Sequence, residues 1–377
     1  MIKKFKLNYM EFSGSLGDLG LFIPLVVAVC ISCQLDIGVV LILAGLMNVL
    51  TGIVFAQPIP VQPMKALAAA VIAEGLLKEE LIAAGIIMGL FLVFSYYTID
   101  KINKYIPVVV VRGIQLGIGL KLIVKGFSWI KDLPLTGINS IAISVVVLIV
   151  LAVGYLKRWP LLLFVFVSGI IMLYVVDPGI LDAYVFSLPK FRLYWPQPGA
   201  WINGFFKGAI VQLPLTLLNS VIAVCALSEE YFPGKGIAPK KMAFSVGLMN
   251  LVCVPLGGIP MCHGSGGLAA QYGFGARGAT SVIFLGIMKI LAGVVFGGAL
   301  LIILKAYPMA VLGPMLIFAG IQLLKLVKHL RGSAKKIFIA LIMAGCILIF
   351  NTLISFVIGC MLAIVLKEFK LKEANNA

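Results

Sequence analysis

Long apolar stretches alternate with short polar breaks from one end of the chain to the other. Apolar stretches lie near 11–33, 36–55, 58–74, 80–98, 105–124, 138–156 and 160–176. After a more polar gap they resume near 204–227, 242–256, 258–274, 279–304, 307–327, 335–350 and 352–366. Most approach the roughly 20 apolar residues an α-helix needs to cross bilayer hydrocarbon. The pattern predicts an all-α polytopic membrane protein of about 14 transmembrane spans, seven in each half. Halves with an odd number of spans face opposite ways, so 11–176 and 204–366 are expected to form an inverted repeat.

Short echoes support that repeat. Ile59-Pro60 recurs as Ile259-Pro260, Gly113-Ile-Gln-Leu116 as Gly320-Ile-Gln-Leu323, and Pro24-Leu25 as Pro214-Leu215, each displaced by about half the chain. Three echoes in the same order, all displaced by about half the chain, are the signature of internal duplication.

Two of the stretches are interrupted in matching places. Gln57-Pro-Ile-Pro-Val-Gln-Pro-Met-Lys-Ala-Leu-Ala-Ala69 and Gly257-Gly-Ile-Pro-Met-Cys-His-Gly-Ser-Gly-Gly-Leu-Ala-Ala270 are rich in Pro, Gly and polar groups. Irregular backbone at membrane depth is tolerated only where it is buried in protein or lines a cavity. Pro63 suits a helical first turn and precedes strong helix formers, so a half-helix is expected to start near Pro63 in span 3. Gly264-Ser-Gly-Gly267 suits an anion nest leading into a second half-helix at Leu268, in span 10.

Each helix N-terminus carries roughly +0.5 elementary charge and unpaired N–H donors. Two such termini facing each other, with Lys65 in the first turn of one, make a site for an anion. An acceptor-only oxyanion suits N–H and hydroxyl donors, whereas a neutral nucleobase also needs acceptors, and neither interruption contains a carboxylate. Lys65 lies in the middle of its apolar run rather than at an end, which favours function over snorkelling. For His263 two readings stand: substrate contact, or a histidine hydrogen-bonded within the core. Gly264, Ser265, Gly266 and Gly267 are read as allowing close approach of the substrate, with helix packing through small residues as the alternative.

Further polar groups mark the first span of each half: Ser13-Gly-Ser-Leu-Gly-Asp18, and Gln212-Leu-Pro-Leu-Thr-Leu-Leu-Asn219. Asp18 is the acid near the first interruption, and a desolvated carboxylate is raised toward a range useful for proton coupling. Pairing with Lys65 and helix capping are its alternative roles. Arg112 precedes the first Gly-Ile-Gln-Leu and is the gating candidate; a lipid phosphate or a carbonyl near a helix end is the alternative partner.

Composition narrows the class. Of 377 residues, 62% are hydrophobic and 12% charged, about half the charge of a soluble domain. A single membrane transport domain over 1–377 is expected, without a soluble C-terminal regulatory domain. The net charge of +16 is spread through short loops rather than gathered for nucleic acid. Nineteen Lys and Arg fall on the side holding both termini and seven on the other, which predicts cytoplasmic termini. The basic N-terminus leads into a full-length span without a small-residue cleavage site, so it is read as the first span, not a signal peptide. The seven cysteines lie in apolar segments without metal-ligand spacing and are expected to be reduced and structural. No nucleotide-binding loop or catalytic constellation is present, so the chain is not expected to be an enzyme or an ATP-driven pump.

With these residues in view, the chain resembles the molybdate transporter branch of the sulfate permease superfamily. The resemblance rests on Ser13-Gly-Ser-Leu-Gly-Asp-Leu-Gly-Leu-Phe-Ile-Pro24, Gln57 to Ala66, Val111-Arg-Gly-Ile-Gln-Leu-Gly117 and Gln212 to Ala223. The most specific segment is Pro260-Met-Cys-His-Gly-Ser-Gly-Gly-Leu-Ala-Ala-Gln-Tyr-Gly-Phe-Gly-Ala-Arg277. It implies a core domain moving against a gate domain, and oxyanion uptake with molybdate as the leading substrate. Carried over by position, it implies substrate contacts at Gln62, Lys65, Gln212, Asn219 and His263 to Gly267, flanked by Ser13, Gly14 and Asp18. The wider superfamily carries a C-terminal cytoplasmic domain, and regulation through such a domain is not expected here.

The expected partners are molybdate, with tungstate or sulfate as competitors, the lipid bilayer, protons as coupling ion, and a second copy of the chain in a homodimer. No cofactor or structural metal is expected, since molybdate is the substrate, and the location is the cell membrane. Rival readings are a sulfate or bicarbonate carrier, a nucleobase permease of the same architecture, and an anion channel.

Overall fold

The computed structural model describes residues 9–16, 19–99, 107–157, 161–181, 188–325, 330, 333–366 and 368. Helices form where the hydropathy pattern places them, because in an apolar medium a helix satisfies every backbone N–H and C=O within its own segment. In the first half they are α1 (Tyr9–Leu16), α2 (Leu19–Cys33), α3 (Ile37–Phe55), α4 (Lys65–Glu74), α5 (Lys78–Phe94), α6 (Val108–Ile130), α7 (Ile141–Lys157) and α8 (Leu161–Val176). The second half has α9 (Pro198–Tyr231), α10 (Pro239–Cys253), α11 (Ser265–Gly273), α12 (Thr280–Lys305), α13 (Met309–Lys325), α14 (Ala334–Ile349) and α15 (Thr352–Val365). Ile37–Phe55, Lys78–Tyr97 and Pro198–Tyr231 are long and apolar enough to cross a membrane by themselves.

The expectation of a purely helical chain needs correcting. Each interruption contains a short strand, β1 (Val61–Pro63) and β2 (Met261–His263). The two pair antiparallel, with Val61 opposite His263, Gln62 opposite Cys262 and Pro63 opposite Met261. Segments that cannot be helical at this depth still have backbone groups to satisfy, and two such segments satisfy each other. The ribbon is extended by Met64 N, which donates to Pro260 O at 2.9 Å.

The helix starts differ slightly from expectation as well. α4 begins at Lys65, two residues after Pro63, and α11 begins at Ser265, so the glycine-rich stretch is itself a first helical turn. Because the ribbon is antiparallel, the two short helices leave from its opposite ends.

Helices elsewhere fall into two packing groups. In one, α3 lies along α12 and α5 along α10; in the other, α6 lies along α13 and α14. Close approach in both depends on small residues. A Cβ on Gly45 of α3 would stand 2.5 Å from Gly286 O of α12, and one on Gly119 of α6 would stand 2.8 Å from Gly320 O of α13. α9 carries π-helical turns at Gly204–Ala209 and Thr216–Ile222, on either side of Pro214. Proline lacks the N–H of a regular turn, and the widened turns absorb the break.

Candidate functional site

Two asparagines hold the strand ribbon from behind. Asn48 Oδ1 on α3 accepts from Val61 N at 2.6 Å. Asn250 on α10 accepts from Met261 N at 2.8 Å and donates through Nδ2 to Met261 O at 2.6 Å. Both asparagines are fully buried. They end a repeated tetrapeptide, Gly45-Leu-Met-Asn48 and Gly247-Leu-Met-Asn250, an echo that sequence reasoning passed over although it was readable. Lys289 of α12, also buried, donates to Val61 O at 3.4 Å and stands 3.3 Å over the Phe22 ring.

In front of the ribbon lies a cavity of about 720 Å³. Gln62, Lys65, Gln212, Asn219, Gly264, Ser265 and Gly266 all line it, so most of the residues expected at the site are brought together. They come from β1, α4, α9 and the start of α11. The other wall belongs to the second packing group, through Gln115 and Ile118 of α6, Tyr155 of α7, and Phe318, Gln322 and Lys325 of α13. Lys65 and Lys325 are its charged residues among those described, so the cavity favours anions.

The two helix starts on this cavity are not equivalent. Gln212 Oε1 accepts from Ala66 N at 2.9 Å and Leu67 N at 3.3 Å, so α4 is capped by a side chain from another helix. Gln212 Nε2 in turn donates to Thr216 Oγ1 at 2.9 Å. At α11 no side chain caps the first turn. A Cβ on Gly266 would meet nothing within 4 Å, so the N-terminus of α11 opens onto the cavity. Gly264 is different, since a Cβ there would collide with Gln62 Oε1.

Other expected residues lie elsewhere. His263 is fully buried but does not line the cavity: Ser245 Oγ lies 3.0 Å from Nε2, Pro60 O 3.4 Å from Nδ1, and Phe55 meets its ring edge to face. This arrangement matches the core-histidine alternative. Gly267 is buried beneath the first turn, and Ser13 and Gly14 are not on the cavity wall; Gly14 packs against Ala276. Asp18 lies outside the described residues. Arg112 does not reach the wall but donates through Nη1 to Gln115 Oε1 at 2.9 Å.

Sequence reasoning missed Gln115 and Gln322. Both belong to the Gly-Ile-Gln-Leu echo, which marks the repeat but says nothing by itself about which face meets a cavity. It also missed the contacts of Glu74 at the far end of α4. Glu74 Oε1 accepts from Lys121 Nζ of α6 at 2.9 Å, from Thr352 N of α15 at 3.2 Å and from Thr352 Oγ1. These contacts join α4 to α6 and α15.

Paired short strands lead into two short helices, and both helix starts reach a basic cavity walled by helices. In fold the backbone matches SLC26A9 with a TM-score of 0.70 at 15% identity, covering 97% of this chain and 66% of that one. It also matches the transmembrane domain of the cyanobacterial bicarbonate transporter BicA with a TM-score of 0.65 at 16% identity, covering 94% and 98%.

Residues 10–122 and 204–323 match the family described as "Molybdate transporter of MFS superfamily", and the chain belongs to that family of transporters, not to an enzyme family. It is 36% identical to Molybdate transporter 1 of Arabidopsis thaliana, covering 96% of this chain and 89% of the relative. Identity to Molybdate transporter 2 of the same plant is 35%, covering 89% and 82%. Molybdate transporter 1 of Chlamydomonas reinhardtii is 29% identical, covering 94% and 90%. The chain is therefore an integral membrane protein with a fold like that of SLC26A9 and the BicA transmembrane domain.

Proposed function

We propose that this protein is a secondary transporter that imports molybdate by alternating access. The observation that carries the reading is the asymmetric site: Lys65 and the uncapped first turn of α11 face one cavity that no described acid lines. A tetrahedral dianion offers only acceptors, and the cavity supplies an ammonium, backbone N–H groups, the Ser265 hydroxyl and carboxamide donors. The molybdate transporter relatives support the choice of substrate.

In this reading α4 and α11 are the half-helices of spans 3 and 10 in a fourteen-span, seven-plus-seven inverted repeat, all of it one membrane transport domain. The group holding the ribbon is the core, and the group of α6, α7 and α13 to α15 is the gate. Both termini are cytoplasmic, the location is the cell membrane, and two copies form a homodimer. Proton symport drives import, with Asp18 as the coupling acid. Substrate contacts are Gln62, Lys65, Gln212, Asn219 and Gly264 to Gly266.

Purified protein reconstituted in vesicles is expected to take up molybdate saturably, with tungstate competing and uptake accelerated by an inward proton gradient. Lys65→Ala is expected to lower affinity at least tenfold. Unchanged uptake by that variant would remove the site assignment. Currents far above carrier turnover would instead favour a channel.

A further inference from the structure

The glutamines of the repeated Gly-Ile-Gln-Leu sequence, Gln115 on α6 and Gln322 on α13, line the cavity from the packing group of α6 and α13, opposite the starts of α4 and α11. Gln115 is 3% exposed, and its Oε1 is taken by Arg112 Nη1 at 2.9 Å. A guanidinium only donates, so this contact settles which way round the carboxamide sits. What remains is an NH2 group on the cavity wall, and among the described residues Nε2 has no hydrogen-bond partner. The half-buried Gln322 makes no hydrogen bond among the described residues.

We infer that Gln115 and Gln322 contact the anion from the gate side and help determine its specificity, and that Arg112 is a positioning residue acting through Gln115. The inference rests on the oxyanion reading above. An anion held by Lys65 and α11 alone would turn its far oxygens toward a wall where Ile118 and Leu323 offer no donors and the Lys325 ammonium is stacked 3.1 Å over the Tyr155 ring. Charged oxygens left without donors in such a place carry a large desolvation cost. Two neutral carboxamides remove that cost without adding charge, so the anion is recognised on both walls and still released when the walls separate. The fixed NH2 of Gln115 also discriminates by oxygen position, because Arg112 prevents the amide from turning to suit a smaller tetrahedron.

The test uses the purified full chain, with molybdate and sulfate titrated calorimetrically and thermal unfolding measured without anion. Gln115→Glu keeps an acceptor for Arg112 and replaces the donor with a carboxylate oxygen of the same shape. Molybdate affinity is expected to fall roughly tenfold to hundredfold with little change in the unfolding temperature. Arg112→Met is expected to narrow the molybdate-to-sulfate affinity ratio, and Arg112→Lys to recover part of it, which a purely structural arginine would not do. Wild-type affinity in Gln115→Glu overturns the inference. If that variant does not fold, Gln322→Glu reads the same wall: a loss of about tenfold supports the inference and unchanged affinity overturns it. Loss of binding in Lys65→Ala with retention in the glutamine variants means that the gate contacts fail alone. Absence of oxyanion binding in the wild type means that both readings fail.

Discussion

Gln212 caps a helix to which it does not belong: its Oε1 accepts from Ala66 N at 2.9 Å, in the first turn of α4. The acceptor occupies the place where an anion would otherwise meet that N-terminus. Its orientation is fixed because backbone N–H groups only donate. The dipole of α4 is thus satisfied by a neutral group, and the open N-terminus is the one at Ser265.

Replacing Gln212 by Leu strands two buried N–H groups, and a loss of about 1–3 kcal/mol in unfolding free energy is expected. Gln212→Glu keeps the acceptor and improves the match to the helix dipole, so the fold survives. Its charge stands beside the anion site, however, and molybdate binding is expected to vanish. Stability and binding measured together on the two variants separate the capping role from the electrostatic one.

Gly264 and Gly266 are two residues apart and should behave in opposite ways. A Cβ on Gly264 runs into Gln62, whereas one on Gly266 meets nothing. Gly264→Ala is expected to displace Gln62 and lower both stability and binding. Gly266→Ala should leave stability unchanged or raise it by up to about 1 kcal/mol through helix propensity, while intruding on the cavity and weakening the anion. Equal thermal shifts for the two would contradict this geometry.

Glu74 and Lys121 form an ion pair at 2.9 Å, with side chains 14% and 15% exposed, and the carboxylate also receives Thr352 N. Such a partly buried, hydrogen-bonded pair is worth more than an exposed one. A double-mutant cycle of Glu74→Ala and Lys121→Ala is expected to return a coupling of about 1–2 kcal/mol in stability. Additive effects would mean that α4 and α6 are not joined there.

Asn250 makes two hydrogen bonds to the backbone of Met261, and Asn48 makes one to Val61. Asn250→Ala should therefore cost more than Asn48→Ala, with about 2–4 kcal/mol expected for the first from two unsatisfied buried groups. Denaturant unfolding in detergent micelles measures both, and the reverse ranking would remove the asparagines as ribbon clamps.

Much of the fold was legible because the bilayer imposes one-dimensional rules. Helix positions follow from runs of apolar residues, and β1 and β2 lie where Pro60, Pro63 and the Gly257–Gly267 stretch forbid a regular helix. Lys65, Gln212 and Ser265 stood out as polar groups in places where polarity is expensive.

Other properties depend on which residues share space. Sequence alone does not distinguish His263, turned onto Ser245 and Pro60, from Ser265, which faces the cavity two positions later. The same holds for Gln212, whose partners lie about 146 residues away, and for Gln115, whose exposed donor follows only from Arg112 taking its oxygen. Spans and breaks are set locally, by hydrophobic length and by backbone that cannot be helical. Which polar atoms remain available to an anion is set by pairwise hydrogen bonds between distant segments, and these exist only once the helices have packed.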